Sequence, residues 1–415
     1  MKRIYIFLLS ALLPLVLMAQ NVTTASPYSR YGYGELQSMG VGAARAMGGI
    51  GYGIRDHRII NPMNPASYSS IDSLTFMLNF AGSGTVNGVS SGSEIYNQFR
   101  GRVDYVAIQI PIYKFIAFSI GVIPFSSVGY KYASTYDLKD YSKSEGTINV
   151  KQTYEGTGGF TQAYAGLSFN ILDRVAVGAN ARFMFGKVTH SRWVEFPNES
   201  FHVGTLQTHY MYSTSWLCDV GVQYTQPLGG KNTLVIGGAY SFKLPMNIKS
   251  QITTYTNKED VDNTKYDFDY PQSVGVGLSY RMGETLLAGV DFEWRDFSNA
   301  RYYGVTDTLL TTYKIALGAE YVYKPGSKKY ADNIRYRIGA NFSPSYVKIN
   351  NNRYMEFAIT AGVGLPLFNN LTTINVFVEY GHRGGLKTVG LVEDYFTFGL
   401  DIALNERWFV KRRLN

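Results

Sequence analysis

The side chains best suited to nucleophilic or metal chemistry are five histidines, His57, His190, His202, His209 and His382, and one cysteine, Cys218. They are dispersed. No His-x-x-x-His pair and no cysteine cluster has the spacing a metal ion needs, so neither a metal nor another cofactor is expected. A lipase-type site needs a serine, a histidine and an orienting polar group that converge. His190 with Ser191, and His382 with Asn375, are the available combinations, and nothing in the sequence brings either set together. The glycine runs open no helix with a lysine, so they lack the pattern that cradles phosphate. A lone cysteine leaves no intramolecular disulfide framework. These residues do not point to an enzyme.

A different kind of stretch does stand out. Ile59-Ile60-Asn61-Pro62-Met63-Asn64-Pro65-Ala66 follows a glycine-rich run from Gly40 to Gly51. Two Asn-Pro steps so close together cannot lie in a central strand. Proline donates no backbone hydrogen bond and pushes the residue before it out of the helical region. Almost everything after Ser73 alternates as strands do, so this segment reads as a plug around which the later chain closes.

That alternation is the positioning element. Phe396, Phe398, Leu400, Ile402 and Leu404 share one face; Thr397, Gly399, Asp401, Ala403 and Asn405 share the other. Period two of this kind marks a strand. It recurs at 163–171, 175–185, 216–224, 274–281, 286–295, 313–321, 334–342, 356–365 and 374–383. The second face carries glycines such as Gly178, Gly221, Gly277, Gly318 and Gly339, with both signs of charge among them. Asp219, Asp291, Glu293, Glu320, Glu379 and Asp401 share it with Arg182, Arg281, Arg295, Lys314, Arg335 and Arg337. Mixed charges at low density indicate ion pairs inside a filled lumen.

Composition and connections decide between a soluble sandwich and a barrel. Aromatic residues make up 15% of the chain, with 34 Tyr and 24 Phe, whereas charged residues make up only 17%. Short links at 112–114, 172–174, 228–232, 282–284 and 368–370 take turns with long polar stretches at 136–145, 196–207, 256–267, 300–307 and 385–392. This is the rhythm of an outer-membrane barrel with short periplasmic turns and long outer loops. The expected fold is all-β: an antiparallel transmembrane β-barrel of about fourteen strands with an N-terminal hatch inside the lumen. Residues 1–20 read as a secretory signal, with Lys2 and Arg3 before the apolar run Ile4–Met18. The expected division is signal 1–20, hatch 21–70 and barrel 71–415, placed in the outer membrane of a Gram-negative cell. Net charge is +8, but Lys and Arg are scattered. Outer-membrane lipid is therefore the expected surface, and nucleic acid is not an expected partner.

A signal peptide, the Gly40–Gly51 run, Asn64-Pro65-Ala66 and then a first strand near 74–80 together resemble the long-chain fatty-acid transporter family, the FadL-like outer-membrane proteins. The resemblance spans the mature chain in architecture. The family's usual glycine after Asn-Pro-Ala is Ser67 here, and the chain ends 409–415 without a terminal aromatic. The resemblance implies a hatch built on Asn61, Pro62, Asn64, Pro65 and Ala66 that blocks a straight channel. It also implies passive uptake of a fatty-acid-like hydrophobic molecule, held in an apolar pocket between hatch and wall, that leaves sideways through a kinked third strand. Here that strand alternates cleanly through Ile116, Phe118, Ile120 and Val122, then meets Pro124 and slips. Gly121, Pro124 and Phe125 are the expected exit, against the plain alternative of a bulge near a barrel rim. Some barrels of this family are receptors or shuttles in type IX secretion. The resemblance thus also admits a protein-binding barrel whose partner is a secreted protein or a secretion subunit.

Overall fold

In a computed structural model, residues 26–92, 94–140, 146–197, 203–256, 258–367 and 372–407 are described. The signal read at 1–20, the link at 368–370 and the terminus 409–415 lie outside them.

Strands account for most of these residues. In chain order they are β1 (Glu35–Leu36), β2 (Thr75–Ser91), β3 (Glu94–Tyr113), β4 (Ile116–Asp140), β5 (Gly146–Leu172), β6 (Val175–Glu195), β7 (Thr205–Gly229) and β8 (Asn232–Ser241). There follow β9 (Leu244–Met246), β10 (Ile248–Tyr255), β11 (Glu259–Asp262), β12 (Phe268–Tyr270), β13 (Ser273–Met282) and β14 (Leu286–Arg295). The last are β15 (Thr312–Val322), β16 (Arg335–Ile349), β17 (Asn352–Pro366), β18 (Thr373–Gly385) and β19 (Leu391–Arg407). β2 to β8 pair in sequence, β8 pairs with β13, β13 to β19 pair in sequence, and β19 returns to β2. The result is a closed antiparallel barrel of 14 strands.

The wall is uneven. β4, β5 and β7 have 25, 27 and 25 residues, against 10 each in β8, β13 and β14. Part of the stretch expected to be loop at 256–267 is strand instead. β10 pairs along the upper part of β7, from Ile248 opposite Ser213 to Tyr255 opposite Leu206, and β11 pairs with β10.

The two strand faces sort as their side chains require. Trp216 is 68% exposed and Ile338 62%, and Ile120, Leu167, Ile236, Leu317 and Phe398 likewise point outward. In water so much bare apolar area would cost ~25 cal/mol per Å²; against lipid it does not. The opposite face is buried in the lumen, including Asp219, Asp291, Glu320, Arg337 and Asp401.

Residues 26–70 fill that lumen. Three 3-10 turns, Pro27–Arg30, Gly42–Met47 and Pro65–Ser70, are joined by irregular backbone. From Ala46 to Tyr68 the segment runs along the inside of the wall from β17 to β5, and wall glycines mark its track. Ala46 lies on Gly362 of β17, Met47 on Gly318 of β15 and Gly339 of β16, and Ile50 on Gly289 of β14. Tyr52 and Gly53 lie on Gly275 and Gly277 of β13 and Tyr52 also on Gly237 of β8; Asn64 lies on Gly221 of β7, Pro65 on Gly178 of β6 and Tyr68 on Gly166 of β5. A Cβ on Gly178 would sit 2.5 Å from the Pro65 carbonyl carbon and oxygen. Backbone meets backbone there, and only a residue without a side chain leaves room.

Candidate functional site: a split in the wall and the segment behind it

β3 and β4 are bonded only along their lower halves. The pairing runs from Tyr113 opposite Ile116 to Val106 opposite Val122. Above that level β3 stays with β2 as far as Glu94, and β4 stays with β5 as far as Asp140. Among the described residues no pair joins 94–105 to 123–140. Both strands are irregular where they part. β4 pairs Pro124 with Thr161 and Ser126 with Phe160, which leaves Phe125 as the extra residue. β3 pairs Tyr105 with Ala81 and Val103 with Gly82, which leaves Asp104 extra. Each bulge bends its strand and strengthens its twist, and Pro124 offers no N–H to a neighbour.

The N-terminal segment sits behind the split. In β1, Glu35 pairs with Ser127 and Leu36 with Ser126. The Gln37 N–H donates to the Phe125 carbonyl at 2.9 Å and the Ser26 N–H to the Gly129 carbonyl at 3.1 Å. The contacts to β3 are made by side chains. Arg100 donates to both Glu35 carboxylate oxygens, at 2.8 and 3.1 Å, and Arg383 donates to the same group at 3.1 Å. Arg102 bonds Gln37 and, at 2.7 Å, Asp104, which also pairs with Arg45 at 2.9 Å.

Above β1 the lumen is packed with aromatic rings. Tyr33 meets Phe125 at 6.4 Å and Tyr302 at 5.1 Å, and Phe125 meets Tyr270 at 5.8 Å. Beside β1 is a cavity of about 190 Å³ whose lining includes Glu35, Arg45, Arg102, Glu293, Lys314 and Glu379. Its charged lining differs from the apolar pocket that the resemblance implies between hatch and wall. Outward strand positions are committed to lipid, so the charges share the inward face, and Glu35 and Arg45 come from the segment itself.

The expected hatch residues are brought together against β5 to β8, away from the split itself. Asn61 donates to the Gly51 carbonyl at 2.6 Å and holds the Met63 N–H at 3.2 Å. The Pro62 carbonyl accepts from Asn180 at 3.3 Å. Asn64 donates to the Tyr52, Val222 and Gly238 carbonyls at 2.9, 3.2 and 3.2 Å, while its oxygen caps the Ala66 N–H at 3.1 Å. Pro65 begins the following turn, and the Ala66 carbonyl accepts from Ser168 at 2.9 Å. Ser67 donates to the Asn64 carbonyl at 2.8 Å, so the hydroxyl in place of the usual glycine closes the same turn. Gly121 lies below the split, paired with Ala107 and Tyr164; Pro124 and Phe125 lie at it. These two groups of residues do not form one site.

Sequence reasoning missed Tyr33, Glu35, Gln37, Arg100 and Arg102. The signal was Tyr31-Gly32-Tyr33-Gly34-Glu35, an alternation of rings and glycines ending in the only acid before the glycine-rich run, and Arg100-Gly101-Arg102 with both cations on one strand face. The imagined triads stay apart. His190 bonds Tyr130 at 2.7 Å, His382 bonds Asp394 at 2.7 Å, and Asn375 bonds Arg337 at 2.7 Å.

Similarities to known proteins agree with this architecture. A family model described as BamG matches residues 1–415. No curated protein matches the chain. A FadL homologue of Pseudomonas aeruginosa superposes with a TM-score of 0.57 at 13% identity, over 90% of this chain and 98% of that one. The toluene transporter TbuX of Ralstonia pickettii gives 0.55 at 14% identity, over 90% and 99%. The P. putida toluene transporter TodX gives 0.55 at 13%, over 90% and 100%. At these identities the likeness is one of fold, and the fold is that of the FadL-like barrels.

Proposed function

The chain belongs to the BamG family, and from that premise we propose that it is an outer-membrane barrel through which small hydrophobic molecules pass sideways between lumen and lipid. The observation that carries this reading is the split between β3 and β4 above Val106 and Val122, beside the ring cluster of Tyr33, Phe125 and Tyr270. The outward belt of Val, Ile, Leu and Phe suits a bilayer, and the short-turn end then faces the periplasm. Neighbours of the same fold named as toluene transporters support an apolar cargo, fatty-acid-like or aromatic.

In this reading residues 21–70 are the hatch, 71–415 the barrel and 1–20 the export signal. Asn61, Pro62, Asn64, Pro65 and Ala66 are the fixed anchor, because Asn64 alone is held by hydrogen bonds to a hatch carbonyl and two wall carbonyls. The moving part is Tyr33 to Gln37, behind an exit framed by Gly121, Pro124 and Phe125. Removing the bulged Phe125 would leave Pro124 and Ser126 in regular register with Thr161 and Phe160. The test is uptake of a fluorescent fatty acid and of toluene by liposomes containing the barrel. The Phe125 deletion lowers uptake at least ~10-fold while the barrel keeps its heat-modifiable gel mobility. Unchanged uptake by a folded deletion variant refutes the exit.

A second reading is a protein-binding barrel, such as a receptor or shuttle in type IX secretion. The small charged cavity favours it, because ligand pockets are usually apolar and ~300–1,000 Å³. None of the similar proteins supports a secreted protein as the partner. Stoichiometric recovery of one secretion subunit or secreted protein, with no copurifying lipid, would favour this second reading.

A further inference from the structure

A strand that loses its neighbour halfway up a barrel wall turns main-chain donors and acceptors toward nothing. On β4 the N-terminal segment makes up much of the loss, through β1 and the bonds of Ser26 and Gln37. On β3 no main-chain pairing among the described residues replaces it: from Asn97 to Val103 the strand pairs there with β2 on one side only. Its depth matters. Phe99 and Gly101 lie opposite Val86 and Gly84, which in turn lie opposite Phe396 and Phe398. The Phe99 ring stacks against Phe398 at 6.2 Å, and both rings are exposed on the outside. The edge therefore runs at the level of the apolar belt, where lipid supplies no hydrogen bonds. Polar atoms around it also lack partners: Arg100 Nε, Asp104 Oδ2 and Ser126 Oγ are buried with none.

We propose that residues 97–103 of β3 are a docking edge for an extended segment of a second, membrane-embedded protein, which adds to the wall by main-chain hydrogen bonds. An acyl chain would cover Phe99 but offers no donor or acceptor, whereas an extended peptide offers both in alternation. Seven residues at ~3.3 Å each set the length of the incoming strand at ~23 Å. Its outward side chains are apolar, to continue the belt past Phe99. Its inward side chains are small or uncharged, because Arg100 and Arg102 already face Glu35, Gln37 and Asp104. The proposal uses only the main chain of β3 and goes beyond the transport reading; loss of uptake in the Phe125 deletion bears on that reading alone.

The experiment places p-benzoylphenylalanine at Phe99 in the full chain in native membranes, with the same replacement at the outward Ile338 as control. It also compares amide exchange in the native assembly with that of the barrel purified alone into lipid nanodiscs. The expected result is one protein adduct at 99 and none at 338, with the linked peptide extended and cross-linked at alternate residues. Alternate amides between 97 and 103 then exchange at least ~10-fold more slowly in the assembly, as one hydrogen bond of ~1.4 kcal/mol each requires. Adducts of lipid only, adducts to the chain's own residues or to a second copy, or equal exchange in both samples overturn the proposal. Gel mobility shows that each variant has folded.

Discussion

Asn64 holds the luminal segment to the wall, and Asn64→Ala measures how firmly. The side chain is fully buried. Its amide donates to three carbonyls, and its oxygen caps the turn that begins at Pro65. Truncation strands the Ala66 N–H, which is buried in the lumen away from strand ladders, whereas the Tyr52 carbonyl keeps a donor in the Gln223 amide at 3.1 Å. One orphaned group at ~1–3 kcal/mol, with the hydrogen bonds of the two lost amide hydrogens at ~0.5–1.5 kcal/mol each, gives ~2–6 kcal/mol, of which relaxation returns part, so ~3 kcal/mol is the expected loss. That loss falls on local opening of residues 50–70, since the barrel ladders are untouched. At 1.4 kcal/mol per decade, the open population rises ~100-fold. Arg55 and Arg58 lie in this stretch, half-buried or less accessible still while it is closed. Trypsin cleavage after them, under conditions where reclosing outruns cutting, should therefore accelerate ~100-fold in Asn64→Ala. Asn64→Asp should do at least as much, because a carboxylate presents only acceptors to three carbonyls. If Asn64→Ala is cut within ~3-fold of the parent rate while its gel mobility is unchanged, the anchoring role is refuted.

Two further tests read other parts of the molecule. Gly237 and Gly238 are neighbours on opposite faces of β8. A Cβ at 237 would collide with the Tyr52 carbonyl, whereas at 238 its nearest contact is Val222 at 3.8 Å. Gly237→Ala should displace the segment and raise the same tryptic cleavage, and Gly238→Ala should leave it unchanged. In the long-loop region Asp269 accepts from Arg301 at 2.9 Å on each carboxylate oxygen. Hydrogen bonds from Arg301 hold its carboxyl below the ordinary range. A depressed carboxylate contributes its stability above the ordinary value of ~3.9 and loses it as pH falls through the lower folded value. Amide protection around 267–270 and 301–304 should therefore fall in steep acid, and Asp269→Asn should show lower protection at pH 5 with no such step.

The barrel was legible because its rule is local. In Phe396–Asn405, alternate residues must meet lipid or lumen, and a strand has no third choice, so side-chain type alone assigns the face. The same rule exposed the inward glycines, among them Gly178, Gly221, Gly277 and Gly339, and the mixed charges that pair in the lumen, such as Arg335 and Arg337 with Glu320. The Asn-Pro steps identified a non-strand segment because proline's missing donor is a property of the residue itself. Pro124 located one end of the kink for the same reason. The rest depends on which strands become neighbours. Asp104 becomes the extra residue of β3 only after β2 has set that strand's register, and nothing near Asp104 in sequence announces a bulge. Glu35 becomes the partner of Arg100 and Arg383, 65 and 348 residues away, only when the segment lies within a closed wall. The charged character of the cavity follows from the same closure. Period two tells which face a side chain takes; the curvature of the finished barrel decides what it meets there.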